Sequence, residues 1–207
     1  MVILPNHHAM NYFSLSLLLT TTVILAPLSL PSIAARIPKL NSKSVISATQ
    51  LLVQEANDFD YWFDRCYELT GEDALEACDN AIAINPNDAS IWYNRGTLLM
   101  TELRRYEDAV ASFDKALEIN PNYLAAWDNR GVALGQLGRY KDALASHDRA
   151  LEIDDKHARV WQNRGVTLFL LQRYDEALTA FERAIELDPN YEQARRNRDL
   201  VREQLER

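Results

Sequence analysis

The sequence predicts an all-α protein built as a solenoid of helix pairs, and three regularities support this fold class. Three tryptophans, at spacings of 35 and 34 residues, each open the pattern W-x-N-R-G: Trp92, Trp127 and Trp161. Alanines recur at steps of 34 residues in two further rows, which are Ala109, Ala143 and Ala177, and Ala116, Ala150 and Ala184. Asn120-Pro121 and Asp188-Pro189 end two of the units, because proline disfavours helical geometry in the residue before it. Such a period indicates helical units that bury their apolar faces only by stacking on their neighbours.

Each unit divides into two helices at a turn that follows its glycine. A tyrosine opens each second helix, and a larger ring lies between its two alanines: Tyr106, Tyr140 and Tyr174, then Phe113, His147 and Phe181. These rings are expected to fill the space beside the small residues. The first unit has one extra residue between Gly96 and Tyr106, so its first helix or its turn must absorb an insertion.

The Trp, Gly, Tyr, Ala, Phe, Ala and Pro positions together resemble the tetratricopeptide repeat (TPR). The resemblance implies a right-handed superhelical solenoid with full repeats at 89–123, 124–157 and 158–191. Two positions of the second repeat depart from the pattern, His147 in place of Phe and Asp155 in place of Pro. A buried, hydrogen-bonded packing residue is the expected role of His147.

Two incomplete units flank the full repeats. Residues 51–88 are expected to form a degenerate TPR-like hairpin, because Ala74, Cys78, Ala81 and Pro86 keep the spacing of a second helix. Its first helix is predicted from an apolar stripe of Leu52, Ala56, Phe59, Phe63 and Cys66. Residues 192–207 continue the register but are strongly charged, which is typical of a capping helix with a polar outer face.

The amino terminus, residues 1–34, is expected to be an export signal. No charged side chain occurs before Arg36, residues 12–30 are nearly all apolar or hydroxylated, and small residues precede a cleavage site after Ala34. The alternative is a retained membrane anchor formed by residues 12–30, since that stretch is just long enough to span a bilayer. Residues 35–50 are expected to be a polar linker. The exported compartment, whether periplasm, organelle lumen or extracellular space, stays open.

Cys66 and Cys78 are the only cysteines, and their register places both on facing helices of the degenerate hairpin. A disulfide would persist in an oxidising compartment. The alternative is a pair of small buried hydrophobic side chains. A zinc site is excluded, because two lone thiols lack the four ligands that structural zinc needs.

A second regularity joins successive units. An acid on a second helix is followed sixteen residues later by an arginine on the next first helix in four cases: Asp79 and Arg95, Asp114 and Arg130, Asp148 and Arg164, and Glu182 and Arg198. The commoner TPR pattern has Leu at the arginine position. Ion pairs across the seam between units are expected to explain the arginines, with small net stability.

Composition restricts the function. The chain of 207 residues carries a formal charge of -8, so nucleic acid is not expected as a partner. No phosphate-binding loop, metalloprotease motif or nucleophile elbow occurs, and we expect neither enzyme activity nor a cofactor or metal.

The TPR resemblance implies that the first helices line a concave groove for a peptide or helix of another protein. The candidate groove residues are Tyr93, Asn94 and Thr97 in the first repeat, Asp128, Asn129 and Val132 in the second, and Arg159, Gln162, Asn163 and Val166 in the third. Only Asn129 and Arg159 match the carboxylate clamp of chaperone-binding TPRs, so such a clamp is not expected. Each asparagine has the alternative role of a hydrogen bond between repeats.

The expected function is that of an exported TPR adaptor or scaffold that binds a protein or peptide segment and assists the assembly of another protein or complex. Contact with a membrane is expected only through the amino-terminal segment. The alternative is a structural accessory that self-associates through its convex face or edges.

Overall fold

The computed structural model describes residues 58–206, which form α-helices joined by short turns. The helices are α1 Phe59–Glu68, α2 Gly71–Ile84, α3 Ala89–Thr101, α4 Tyr106–Ile119, α5 Leu124–Gln136, α6 Tyr140–Ile153, α7 Ala158–Leu170, α8 Tyr174–Leu187 and α9 Glu192–Leu205. None of these described helices is long and apolar enough to cross a membrane. The predicted signal or anchor and the linker lie outside the described residues.

The helices stack as a solenoid of pairs, as the sequence predicts. Each helix packs on the next in the chain, and the first helices α1, α3, α5, α7 and α9 also contact one another from unit to unit. The described second helices α2, α4, α6 and α8 make no such contacts with one another. First helices that approach while second helices diverge give the stack a concave face lined by first helices.

The degenerate hairpin begins later than its apolar stripe suggests. Asp58 has extended backbone, and its carboxylate accepts hydrogen bonds from the amides of Asp60 and Tyr61. This cap starts α1 at Phe59, so one continuous helix from Leu52 to Cys66 is wrong. Leu52 and Ala56 lie outside the described residues.

Each tryptophan fastens a turn between repeats. The indole Nε1 of Trp92, Trp127 and Trp161 donates to the backbone oxygen six residues earlier, at 2.9, 2.8 and 2.7 Å. The acceptors are Pro86, Pro121 and Asp155. Because only the carbonyl is used, Asp155 can replace proline. Arg195 takes the tryptophan position in α9 and donates to the carbonyl of Pro189 in the same way.

The turn after α3 absorbs the extra residue of the first repeat. Helices α3, α5 and α7 each have 13 residues, so the insertion does not lengthen a helix. Glu102 lies at the start of the longer turn, and its carboxylate accepts a bond of 2.7 Å from the amide of Gly71 at the start of α2. The insertion therefore ties the degenerate hairpin to the first full repeat.

The predicted seam pairs are confirmed at three junctions and wrong at the fourth. Arginine Nε donates to the aspartate at 2.7, 2.6 and 2.7 Å for Arg95 and Asp79, Arg130 and Asp114, and Arg164 and Asp148. Arg198 instead pairs with its neighbour Asp199, while Glu182 pairs with Arg202 at 2.8 Å. Asp199 replaces the glycine of the full repeats, so α9 offers Arg198 a nearer acid than the seam does.

Cys66 and Cys78 face each other across the α1–α2 hairpin, which confirms their predicted juxtaposition. Their Cα atoms are 4.8 Å apart and both side chains are buried, with the sulfur atoms 2.04 Å apart. This Cα separation lies inside the range that a disulfide requires.

Candidate functional site

The candidate groove residues all lie on α3, α5 and α7, but they do not share one environment. Asp128, Asn129 and Gln162 are buried, with exposures of 0, 5 and 1%. Six others are partly buried: Tyr93, Asn94, Thr97, Val132, Asn163 and Val166. Arg159 alone is exposed. The three buried side chains therefore form the wall beneath the groove and do not offer contacts to a partner.

The first junction of this wall, between α3 and α5, is closed by a polar pair. The amide nitrogen of Asn129 donates to the hydroxyl of Tyr93 at 3.2 Å and to that of Thr97 at 3.4 Å. The Tyr93 ring packs against the rings of Phe113 and Tyr123, with centroids 6.0 and 4.9 Å away. Tyr93 is consequently part of the core and only secondarily part of the groove surface.

The second junction, between α5 and α7, is closed around a buried carboxylate. Asp128 Oδ1 accepts a hydrogen bond of 3.0 Å from the Asn163 amide and lies 3.2 Å from Nδ1 of His147. Asp128 Oδ2 lies 3.0 Å from a guanidinium nitrogen of Arg159. His147 therefore has the buried packing role expected of it, and Arg159 has a partner inside the wall.

The electrostatics of this junction favour the ionised acid. Burial alone would raise the pKa of Asp128. Hydrogen bonds from His147 and Asn163, together with the charges of His147 and Arg159, outweigh burial and hold the pKa below its ordinary value. The carboxylate is thus a structural anion, and its neighbours are fixed by it.

The third junction, between α7 and α9, is open. Gln162 is 1% exposed, and neither its Oε1 nor its Nε2 has a hydrogen-bond partner among the described residues. Asn197, which occupies the register of Asn129 and Asn163, likewise makes no side-chain hydrogen bond within the described part of the chain. The same two positions that bond at the first two junctions stay unpaired here.

The accessible floor of the groove is a row of uncharged side chains at one register position of α3, α5, α7 and α9. The row runs Thr97, Val132, Val166 and Leu200, from polar to apolar along the stack. At its apolar end a cleft of about 100 Å³ lies between the helices, lined by Val166, Phe169, Phe181, Asn197 and Leu200. We call this space the α7–α9 cleft.

Leu200 and Asn197 are site residues that the sequence argument missed. A wholly polar outer face was expected for the capping helix, but Leu200 is 56% and Leu205 43% exposed. The expectation was wrong because α9 keeps the register of a first helix and so extends the groove. The available signal was that Asn197 continues the asparagine row and Leu200 the valine row.

Comparison with known proteins agrees with this architecture. Two tetratricopeptide repeat family models match residues 87–156 and 158–191, which together make up half of the chain. No curated protein sequence matches the chain.

Solved structures with the same fold include TPR domains from different sources. MamA from Desulfovibrio magneticus RS-1 is 24% identical with a TM-score of 0.67, over 73% of this chain and 86% of that one. The first TPR of Spaghetti (RPAP3), bound to the HSP90 peptide SRMEEVD, is 22% identical with a TM-score of 0.57, over 58% and 94%. The Sgt2 TPR domain from Aspergillus fumigatus is 23% identical with a TM-score of 0.55, over 57% and 79%.

The tryptophan-fastened turns, the stacked helix pairs and both family matches lead to one conclusion. This chain belongs to the tetratricopeptide repeat family.

Proposed function

We propose that this protein is an exported TPR scaffold that holds a segment of another protein in its concave groove and so assists the assembly of a complex. One observation carries the proposal. The uncharged row of Thr97, Val132, Val166 and Leu200 lies along successive first helices of a rigid stack. A partner segment can contact the whole row without the entropic cost of ordering a loop.

The polar wall beneath the row supports the same function, because it holds the first helices in fixed register. Asn129 bonds to Tyr93, and Asn163 bonds to Asp128, so α3, α5 and α7 are linked by side chains as well as by packing. A groove of fixed shape favours one partner segment over others. The RPAP3 domain, which has this fold and was solved with an HSP90 peptide, supports the idea that such a groove accepts a peptide.

A photo-cross-linking amino acid at position 132 tests the groove. Val132 is partly buried in the middle of the row, whereas Lys115 on α4 is exposed on a second helix and is the matched control position. We expect adducts with another protein from position 132 and few from position 115. Adducts from position 115 alone would contradict groove binding. Adducts between two copies of this chain would favour self-association.

The contact residues should be altered at exposed positions. Changing Tyr93 to Ala would remove a ring packed on Phe113 and Tyr123, so lost binding would be confounded by lost stability. Thr97→Lys with Val132→Lys places two charges in the uncharged row instead. We expect capture of the partner to weaken by about tenfold or more, which is about 1.4 kcal/mol, while the unfolding midpoint stays nearly unchanged.

Export is the second part of the proposal. Its support is the apolar stretch at residues 12–30, the small residues before Ala35, and two cysteines placed to form a disulfide. We expect the mature chain to begin at Ala35 or Arg36. Amino-terminal sequencing of the protein from cells decides this, and an intact apolar segment in membrane extracts would establish the anchor instead.

A further inference from the structure

The three junctions of the concave wall use the same two register positions, which makes the open one informative. An asparagine of each later helix is placed to meet a residue of the preceding first helix: Asn129 with Tyr93, Asn163 with Asp128, and Asn197 with Gln162. The first two pairs are bonded at 3.2 and 3.0 Å. The third pair is not bonded. The difference therefore lies at the junction that borders the α7–α9 cleft.

An unpaired amide at this depth is unfavourable. The Gln162 side chain is 1% exposed and has neither a donor for its oxygen nor an acceptor for its nitrogen among residues 58–206. Buried polar groups almost always have partners, and a group left without one loses its hydration with no return. Such a group marks a place where a bound molecule can supply the missing bonds.

The cleft beside this amide selects an apolar group. Val166 lies one helical turn beyond Gln162 on α7, and the other lining residues are Phe169, Phe181, Leu200 and Asn197. None of the five carries a charge, so a charged side chain would lose hydration without gaining a counter-ion. Asn197 is the single polar group of the lining, and it too lacks a side-chain partner among the described residues.

We infer that the α7–α9 cleft is the anchor site for the partner segment, and that it takes one uncharged aliphatic residue of an extended peptide. This inference rests on the proposed function, because it names where in the groove the segment is held. The aliphatic side chain fills the cleft between Val166 and Leu200. The backbone carbonyl of the same residue accepts from an Asn197 or Gln162 amide, and its N–H donates to an amide oxygen.

Nuclear magnetic resonance of the full chain labelled with ¹⁵N tests the inference with two probes. N-acetyl-leucine N-methylamide carries the side chain and both backbone groups, and N-acetyl-alanine N-methylamide is its matched control with the same backbone. We expect the leucine probe to shift the side-chain amide signals of Gln162 and Asn197 saturably, with at least tenfold higher affinity than the alanine probe. Equal responses to both probes would overturn the anchor.

A pair of variants at equivalent register positions localises the effect. Leu200→Asp puts a charge at the mouth of the cleft, and Leu200 is exposed enough for the fold to survive. Val132→Asp makes the same change in the same row, away from the cleft. We expect Leu200→Asp to abolish the response to the leucine probe and Val132→Asp to preserve it. An unchanged response in Leu200→Asp would overturn the inference.

The free protein gives an independent check. A nuclear Overhauser contact between the Gln162 and Asn197 side-chain amides without any probe would show the third junction closed like the other two, and would overturn the inference.

The failure of the anchor and the failure of the proposed function are distinguishable. Partner adducts at position 132 that persist in Leu200→Asp, with no leucine-specific response, would leave the groove function standing and remove the anchor. A leucine-specific response without any partner adduct would support the anchor and remove the scaffold function. A photo-cross-linker at position 200 that joins two copies of the chain would assign the cleft to self-association and overturn the peptide anchor.

Discussion

Asp128 and His147 show how one repeat changes two residues together. The first repeat places Tyr93 against Phe113 at the same two register positions, and the third places Gln162 and Phe181 there. In the second repeat the imidazole of His147 takes the place of the phenylalanine ring, and the Asp128 carboxylate lies 3.2 Å from it. A buried imidazole without the acid would lack this partner, so the two substitutions explain each other.

The first prediction is that Asp128→Asn destabilises the protein by about 3 kcal/mol at pH 7, because it removes a buried charge from its partners. The pKa of folded Asp128 lies below its ordinary value of 3.8. The contribution is therefore fully present above pH 3.8 and is lost as pH falls through the lower folded pKa. Urea unfolding of both proteins between pH 7 and pH 3 measures the difference.

Asp148→Asn is the matched control for this prediction. Asp148 also pairs with an arginine, but its side chain is 45% exposed. Its loss should cost at most about 1 kcal/mol. Equal costs for the two variants would show that the buried junction adds nothing beyond a surface pair.

The second prediction concerns the coupling of the pair. Asp128→Tyr and His147→Phe should each destabilise, whereas the double variant should be more stable than the sum of the single effects by about 1 to 3 kcal/mol. The reason is that the double variant recreates the Tyr93 and Phe113 arrangement, with Asn163 donating to the new hydroxyl as Asn129 does to Tyr93. Additive effects in a double-mutant cycle would contradict this.

At the scale of the elements, each helix pair is closed by a ring packed on a glycine. A Cβ placed on Gly96 or Gly165 would lie 2.7 or 2.6 Å from a carbon of Phe113 or Phe181. Those rings are fully buried and cannot move aside. The glycines therefore set the distance between the two helices of a repeat, and the alanine rows of the second helices complete the close approach.

The third prediction compares two glycines of first helices. Gly96→Ala should destabilise by about 1 to 3 kcal/mol, because the added methyl overpacks the contact with Phe113. Gly135→Ala should stabilise by about 0.5 to 1 kcal/mol, because nothing lies within 4 Å of its Cβ and alanine favours the helix. Chemical denaturation of both variants measures the sign. A neutral Gly96→Ala would show that the helix pair can spread.

At the scale of the whole molecule, stability passes from each unit to its neighbours. The full repeats have neighbours on both sides, while the described α1–α2 hairpin packs chiefly on the first full repeat. In such an array a terminal unit can unfold locally without the rest. The paired cysteines and the bond from Gly71 to Glu102 are both placed to hold this hairpin.

The fourth prediction is that oxidation of Cys66 and Cys78 stabilises the hairpin selectively. A bridge across 12 residues should contribute about 2 to 4 kcal/mol by restricting the unfolded chain. Reduction should therefore speed amide hydrogen exchange in α1 and α2 and leave α5 to α8 almost unchanged. The Cys66→Ser, Cys78→Ser double variant is the control, because a reductant should not alter it. Equal acceleration in all helices would contradict local unfolding.

Much of the fold follows from residues that repeat in sequence. The tryptophans, glycines and alanines predicted the helix pairs, and the sixteen-residue spacing predicted three of the seam pairs, because these contacts join fixed register positions. The pairing of Cys66 and Cys78 followed in the same way from their placement on one hairpin. These interactions depend on local periodicity, which the sequence displays directly.

The groove was harder to predict, because burial is a property of the packed molecule. The sequence placed Asp128, Asn129 and Gln162 on the concave side, and only the stacking of α3, α5, α7 and α9 decides that they lie beneath its surface. The same stacking turns Leu200 of the cap towards solvent and leaves the amide of Gln162 without a partner in the described chain. The sequence by itself determined the repeat architecture, because periodicity is encoded along the chain. The tertiary structure decided which side chains remain available to a partner, because that depends on how neighbouring helices fill the space between them.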